Sequence, residues 1–280
     1  MEASVNGSLA LGMAVVLCSQ PGALKGLELA QVVLRREVQP DGSVRQTRQP
    51  VTVFLAGDRA RLEEASGDVT IVRLDRGEVL QLDTLLKSYR RKTFKELRTQ
   101  WRTLNALLLE QIEGTPLGHP RRAELVDQLA DGPDKWREIW KLPPGEHRSR
   151  LVERYKLPPE PPVVEIRSTG ETKIIAGRTA VRHVAVENGE PRDWAYLATD
   201  LAFDRRYYEF LELWGWLAPE LASKLSRLRG AGLPLATMMR SRAGGELEVV
   251  TEKLQERELD AGLFEVPEGF VEQKPRPAFR

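Results

Sequence analysis

Residues 51–83, VTVFLAGDRARLEEASGDVTIVRLDRGEVLQLD, decide the fold because short apolar stretches alternate with turn residues along their whole length. Gly57-Asp58, Gly67-Asp68 and Asp75-Arg76-Gly77 separate stretches that are rich in Val, Leu and Ile. Stretches of this kind between Gly/Asp turns are typical of strands joined by tight hairpins. The segment therefore predicts an antiparallel meander with one apolar face and one solvated face.

The same strand pattern extends from Leu24 to Lys92, and a helical pattern follows it. Apolar side chains then recur at three- and four-residue steps, at Phe94, Leu97, Trp101, Leu104, Leu107, Leu108 and Ile112. This spacing predicts an amphipathic helix over residues 93–113. A helix that follows a meander has an apolar face to bury, so we expect it to cover the apolar face of the sheet.

The second half of the chain repeats this order, with strand patterns first and a helical pattern after them. Further strand patterns occur at 163–166, 173–178, 180–186, 193–197 and 246–251. Residues 203–229 show helical spacing, with Pro219 expected to break or kink the helix. We expect an α+β fold in which a curved antiparallel sheet, a half-barrel, is covered by helices. Residues 24–280 would form a single domain, interrupted by an insertion at 115–162.

The insertion at 115–162 is rich in Arg, Pro and Trp, and it contains a short internal echo. Trp140-Lys-Leu-Pro-Pro144 is followed by Tyr155-Lys-Leu-Pro-Pro159, and each pair of prolines would terminate a short helix. One interpretation is a pair of helices packed on the outside of the domain. The other is a docking arm that presents Trp136, Trp140 and Tyr155 to a partner.

The N-terminal segment carries the only targeting-like pattern of the sequence. Ten apolar residues, Leu9–Cys18, match the hydrophobic part of a signal peptide and are too few to span a bilayer. We predict a signal peptide over residues 1–23 and a periplasmic or cell-envelope protein, although Met1–Ser8 lacks Lys and Arg. Lipid attachment at Cys18 and a buried N-terminal element of a cytoplasmic protein are the alternatives. Nothing later in the chain resembles a transmembrane span.

Composition argues against most catalytic and nucleic-acid-binding classes. The 280 residues carry a formal charge of only +1, which recruits neither nucleic acid nor an anionic membrane. One cysteine and three scattered histidines do not predict a metal site, and phosphate-loop, dinucleotide and serine-hydrolase motifs are absent. We therefore expect no enzyme, no cofactor and no metal. A hydrolase with an unmarked pair of carboxylates is the weakest alternative.

Residues 257–270, RELDAGLFEVPEGF, predict how the chain is fastened at its end. Leu259, Leu263, Phe264 and Val266 supply apolar contacts, while Asp260 and Gly262 mark a turn. We call this segment the C-terminal clasp and expect it to seal one edge of the sheet.

The clasp and two other places resemble the LolA/LolB lipoprotein carriers of bacteria. The first is the order Asp58-Arg59-Ala60-Arg61-Leu62-Glu63, then Leu80-Gln81-Leu82-Asp83, then Ser88-Tyr89-Arg90; the second is Lys173–Arg178. The resemblance covers about 60% of the chain. It implies a half-barrel of antiparallel strands, closed by helices over an apolar concave face that holds lipid acyl chains.

We therefore predict a non-enzymatic exported protein that binds a lipid-like or other hydrophobic ligand between its sheet and its helices. Burial of apolar surface, at roughly 25 cal/mol per Å², would drive binding. The predicted ligand contacts are Phe54 and Leu82 on the sheet and Leu104, Leu108, Trp214 and Leu217 on the helices. The alternative is a protein-interaction module with a filled core that acts through the 115–162 insertion.

Overall fold

A computed structural model describes a large part of the chain. The described residues are 23–38, 42–116, 119–122, 125, 144–154, 164–187, 189–201, 203–217, 219–228, 231–240 and 245–273. Within them, twelve strands form one large, curved and open sheet. This architecture confirms the predicted antiparallel sheet and is consistent with a half-barrel.

The strands follow the predicted pattern closely. Their bounds are β1 Ala23–Val38, β2 Val44–Ala56, β3 Arg59–Glu64, β4 Asp68–Arg73, β5 Glu78–Asp83, β6 Ser88–Thr93, β7 Val164–Ile175, β8 Arg178–Glu187, β9 Glu190–Ala198, β10 Leu233–Arg240, β11 Glu246–Asp260 and β12 Val271–Glu272. Their order across the sheet is β12-β6-β5-β4-β3-β2-β1-β11-β10-β9-β8-β7. The pair β12 and β6 is parallel, and the other pairs of neighbours are antiparallel.

Four helices and one 3-10 turn occur among the described residues. They are α1 Phe94–Gly114, α2 Glu146–Arg154, α3 Arg206–Leu213, α4 Pro219–Leu225 and the turn Ala261–Phe264. The predicted helix at 93–113 is confirmed as α1. The predicted helical region at 203–229 is two helices, and Pro219 begins the second one, because proline fits the first turn of a helix.

One face of β1–β3, which we call the inner face, carries the central core. Directly opposite residues in the ladders share a face, which places Leu29, Val53 and Leu62 side by side, with Leu55 opposite Ala60. Tyr207 and Phe210 of α3 belong to the same buried cluster. Among the described residues of α1, only Leu97 is buried in this cluster. Helix α3 also packs on the inner face, and because the side chains of Trp101 and Leu104 lie outside the described set, the expectation that α1 covers the meander stays a prediction beyond Leu97.

The opposite face of the meander, the outer face, is covered by the C-terminal clasp. Ile71 and Leu80 pack there with Leu259 and Phe264, and Arg61 donates a hydrogen bond from Nη1 to the Leu263 carbonyl at 3.0 Å. The clasp thus covers a face of the sheet, and β12 beyond it extends the β6 edge. A third cluster joins α4 to β8 and β9 through Leu221, Leu225 and Leu197. No helix in the described ranges is both long and apolar enough to cross a membrane.

Candidate functional site

An apolar cavity of about 50 Å³ lies between the inner face and α3. Its wall combines the inner face with α3 and the segments on either side of it. The lining residues are Leu29, Gln31, Val53, Leu55, Ala60, Leu62, Phe203, Tyr207, Phe210, Leu211, Trp216, Leu233, Pro234, Leu235, Ala236, Thr237 and Val249. A group the size of a water molecule needs roughly 10–15 Å³ of such volume, so the cavity has room for a few groups of that size.

Three polar side chains interrupt this apolar wall. Gln31 donates a hydrogen bond from Nε2 to Thr251 Oγ1 at 3.0 Å, and Thr237 Oγ1 donates to the Trp216 carbonyl at 3.0 Å. Tyr207 differs, because its buried hydroxyl has no hydrogen-bond partner in the described part of the chain. A mainly apolar pocket with a few placed polar groups is typical of small-molecule sites.

Helix α3 is held over the cavity by its neighbours, and the Asp204 carboxylate accepts a hydrogen bond from the backbone N–H of Arg206 at 2.9 Å. Arg205 at its N-cap makes no side-chain capping hydrogen bond. Arg206 Nη1 donates to the Leu74 carbonyl at 3.1 Å, and the Tyr208 hydroxyl donates to the Gly232 carbonyl at 2.6 Å. Residue 232 must be glycine, because a Cβ there would lie 1.9 Å from the carbonyl oxygen of Ala198.

An open cleft of about 920 Å³ adjoins the cavity. Leu55, Phe203 and Tyr207 line both spaces and place them next to each other. The other cleft residues are mostly polar: Lys25, Gly26, Leu27, Gly57, Asp58, Asp200, Leu201, Asp204, Glu256, Arg257 and Glu258. The site therefore has an apolar interior and a charged entrance.

Carboxylates outnumber cations in the lining of the cleft, by five to two. Arg178 pairs with two of them, at 3.0 Å from Asp200 and in a second ion pair with Glu256, so the two carboxylates share one positive charge. Arg206 neutralises a third, Asp204, through hydrogen bonds of 2.6 to 3.1 Å. These hydrogen bonds hold the pKa of Asp204 below its usual range, so it remains ionised in the folded protein.

Burial is the main cause of the raised pKa values of the two tyrosines of α3. It raises the pKa of Tyr207 far above the usual value, and the negative charges of Asp58 and Asp204 raise it further. Burial alone raises the pKa of Tyr208. Both hydroxyls are therefore neutral at physiological pH.

Among the predicted ligand contacts whose side chains are described, none lines the cavity or the cleft. Phe54 and Leu82 lie on the outer face with the clasp, because the pleat turns Phe54 away from its neighbours Val53 and Leu55. Trp214 is half-buried against the central core, and its ring stacks at 5.4 Å from that of Phe210.

The other ligand contacts predicted on the helices belong to different elements of the structure. Leu217 is buried against Leu221 and Leu197 in the α4 cluster. Leu108 is half-buried on α1, and the side chain of Leu104 lies outside the described set. The structure therefore does not bring the five described candidates together, and Leu104 stays a prediction. Their sequence neighbours Val53, Leu55 and Trp216 line the cavity instead.

Gln31, Tyr207 and Asp58 were not singled out from the sequence as site residues. One signal was present for Gln31, because it is the one polar residue within Leu29–Leu34. A polar residue in such an apolar strand must find a partner or line a cavity. Tyr207 and Asp58 carried no comparable signal, since aromatic residues at helical spacing and Gly-Asp turns are ordinary structural features.

The docking residues predicted in the insertion cannot be assigned a position. Trp136, Trp140 and Tyr155 lie outside the described residues. The described start of the insertion packs on the end of α1, where Arg122 Nη1 donates to the Ile112 carbonyl and, at 2.8 Å, to the Thr115 carbonyl. The interaction-module alternative stays a prediction.

Comparisons with known proteins give only distant likenesses. No family model and no curated protein matches the chain. An uncharacterized conserved protein from Thermus thermophilus has 10% identity over 89% of this chain and 90% of its own, with a TM-score of 0.38. A chain of the Pseudomonas aeruginosa MucA/MucB complex has 13% identity over 83% of this chain and 52% of its own, with a TM-score of 0.30. MucB alone has 15% identity over 82% of this chain and 53% of its own, with a TM-score of 0.29.

The chain spans about half the length of the MucB chains that it resembles. TM-scores this low do not establish a common fold with these proteins. The resemblance to the LolA/LolB carriers therefore stays a prediction from the sequence.

Proposed function

We propose that the protein is a non-enzymatic binding protein that holds the apolar part of a hydrophobic ligand between β1–β3 and α3. The observation that carries this proposal is an apolar cavity that adjoins an open cleft through Leu55, Phe203 and Tyr207. Location in the cell envelope, predicted from residues 9–18, belongs to the same proposal.

The volumes constrain how such a ligand binds. A cavity of about 50 Å³ is too small for a long acyl chain, whereas the adjoining cleft of about 920 Å³ is not. The ligand therefore lies mainly in the cleft and inserts an end beneath α3, where it displaces side chains such as Phe203. Removal of its apolar surface from water supplies the driving force.

A cavity-filling substitution tests this function. Ala60 lines the cavity and is 2% exposed, so the larger side chain of Ala60→Leu enters the empty space. We expect Ala60→Leu to lower the affinity for N-phenyl-1-naphthylamine, a neutral fluorescent hydrophobic probe, by at least about tenfold. We also expect lipid to co-purify with the wild-type protein and to be depleted in the variant, as measured by mass spectrometry of organic extracts.

Ala56→Leu is the matched control, because Ala56 is a buried alanine of neighbouring β2 that faces the clasp. Overpacking there costs about 1–3 kcal/mol of stability but leaves the cavity unchanged. If the wild-type protein and the Ala60→Leu variant bind the probe with equal affinity, the proposed site is wrong. Absence of both probe binding and co-purified lipid in the wild-type protein would contradict the proposed function.

A further inference from the structure

At the entrance to the cavity, the Asp58 carboxylate has only a long contact with a cation, and the charge of Arg206, which pairs with Asp204, also acts on it. Arg178 and Arg206 pair with Asp200, Glu256 and Asp204, as described above. Glu258 lies directly opposite Lys25 in the β1–β11 ladder. Asp58 has a single contact with a cation among the described residues, at 3.9 Å from Arg59, and that arginine also lies 3.8 Å from Glu265.

A second observation at the same place points to a ligand. Tyr207 is 3% exposed and lines both the cavity and the cleft, yet its hydroxyl has no hydrogen-bond partner among the described residues. An unpaired buried hydroxyl costs about 1–3 kcal/mol, so such a group is normally satisfied by a partner. Asp58 and Tyr207 line the same cleft, and the negative charge of Asp58 adds to the effect of burial in raising the pKa of Tyr207.

We propose that the cleft binds an amphiphile with a protonated primary amine as its headgroup. The ammonium group donates hydrogen bonds to the Asp58 carboxylate and to the Tyr207 hydroxyl oxygen, while the apolar chain extends past Leu55 and Phe203 into the cavity. This inference rests on the proposed function and adds the class of headgroup.

The chemistry of the two residues favours a cation over an anion. The carboxylate accepts hydrogen bonds only, and it repels a second carboxylate or a phosphate. The Tyr207 hydroxyl accepts as well as donates, so it satisfies an ammonium N–H that Asp58 leaves unpaired. Charge-assisted hydrogen bonds at a partly desolvated entrance are among the stronger polar contacts in proteins.

Three ligands that each have ten carbon atoms and differ in their headgroup distinguish the contribution of the headgroup to affinity from that of the apolar tail. Binding of decylammonium, decanol and decanoate is measured by calorimetry near neutral pH, below the concentrations at which they form micelles. We expect the wild-type protein to bind decylammonium at least about tenfold more tightly than decanol, and decanoate most weakly. Asp58→Asn and Tyr207→Phe should each reduce this preference for the ammonium over the alcohol.

Asp83→Asn is the control, because Asp83 is another half-buried aspartate beside a hairpin turn, at the end of β5, and lies outside the described lining of the cleft. It should retain the preference for the ammonium. If decanol binds and decylammonium binds no more tightly, or if Asp58→Asn keeps the full preference, the headgroup inference is wrong while the proposed function stands. If none of the three ligands binds, the proposed function itself fails.

Discussion

The two adjacent tyrosines of α3 differ in whether the hydroxyl has a hydrogen-bond partner. Tyr208 donates a 2.6 Å hydrogen bond to the Gly232 carbonyl, whereas the Tyr207 hydroxyl is buried without a partner in the described chain. Removal of a paired hydroxyl loses a hydrogen bond and leaves its acceptor unsatisfied, but removal of an unpaired one relieves a desolvation cost.

We therefore expect opposite changes in the free energy of unfolding. Tyr208→Phe should destabilise the protein by about 1–2 kcal/mol, and Tyr207→Phe should be neutral or slightly stabilising. Urea denaturation of the ligand-free protein, followed by tryptophan fluorescence, measures both. Equal destabilisation by the two substitutions would mean that the Tyr207 hydroxyl is paired in solution.

At the scale of the elements, the sequence pattern predicted β3 to β6 and α1 to within a few residues, whereas β1 and β2 are longer than their apolar stretches. It could not predict which side chains face the cavity, because both faces of the meander are covered. Val53, Phe54 and Leu55 are consecutive and all at least partly buried, so apolar periodicity does not distinguish the inner face from the outer one. Only the long-range packing of α3 and the clasp makes that distinction.

Helix α1 begins with a capping box whose strength depends on pH. Glu96 accepts hydrogen bonds from the backbone N–H of Thr93 at 2.7 Å and from its hydroxyl at 2.9 Å, and the Glu96 N–H donates to Thr93 Oγ1 at 3.1 Å. The hydrogen bonds from Thr93, the backbone one first, lower the pKa of Glu96 below its usual value. This stabilisation is therefore complete above the unfolded pKa, about 4.3, and is lost as the pH falls through the lower folded value.

We expect Thr93→Ala to cost about 0.5–2 kcal/mol at pH 7, which is typical for the loss of an N-cap. Glu96→Ala should also destabilise the protein at pH 7, but its effect should shrink towards zero as the pH is lowered below 4. Urea denaturation at a series of pH values measures this. An effect of Glu96→Ala that stays constant down to pH 3 would exclude a contribution from the ionised carboxylate.

At the scale of the whole molecule, the clasp joins the end of the described chain to the outer face of the meander. Phe264 is fully buried among Ile71, Leu80 and Leu259. We expect Phe264→Ala to destabilise the protein by about 3–5 kcal/mol, because it removes a large side chain from a packed cluster. Leu85→Ala, at an 88% exposed position, should change the stability by no more than about 0.5 kcal/mol.

Thermal and urea denaturation of the two variants provide the comparison. A small effect of Phe264→Ala would show that the clasp is not a structural part of the core. Because the clasp lies on the face opposite α3, Phe264→Ala should leave probe affinity unchanged under conditions in which the protein remains folded.

The position of β1 in the middle of the sheet also determines when the sheet can be completed. β1 pairs with β2, which follows it at once, and with β11, so that Gln31 meets Thr251 across 220 residues. During synthesis, one edge of β1 stays open until β11 has been made, and Val249 of β11 is part of the cavity wall. Contacts over such separations require closure of a long loop, which slows folding. We therefore expect the cavity wall to be among the last of the described parts of the molecule to form.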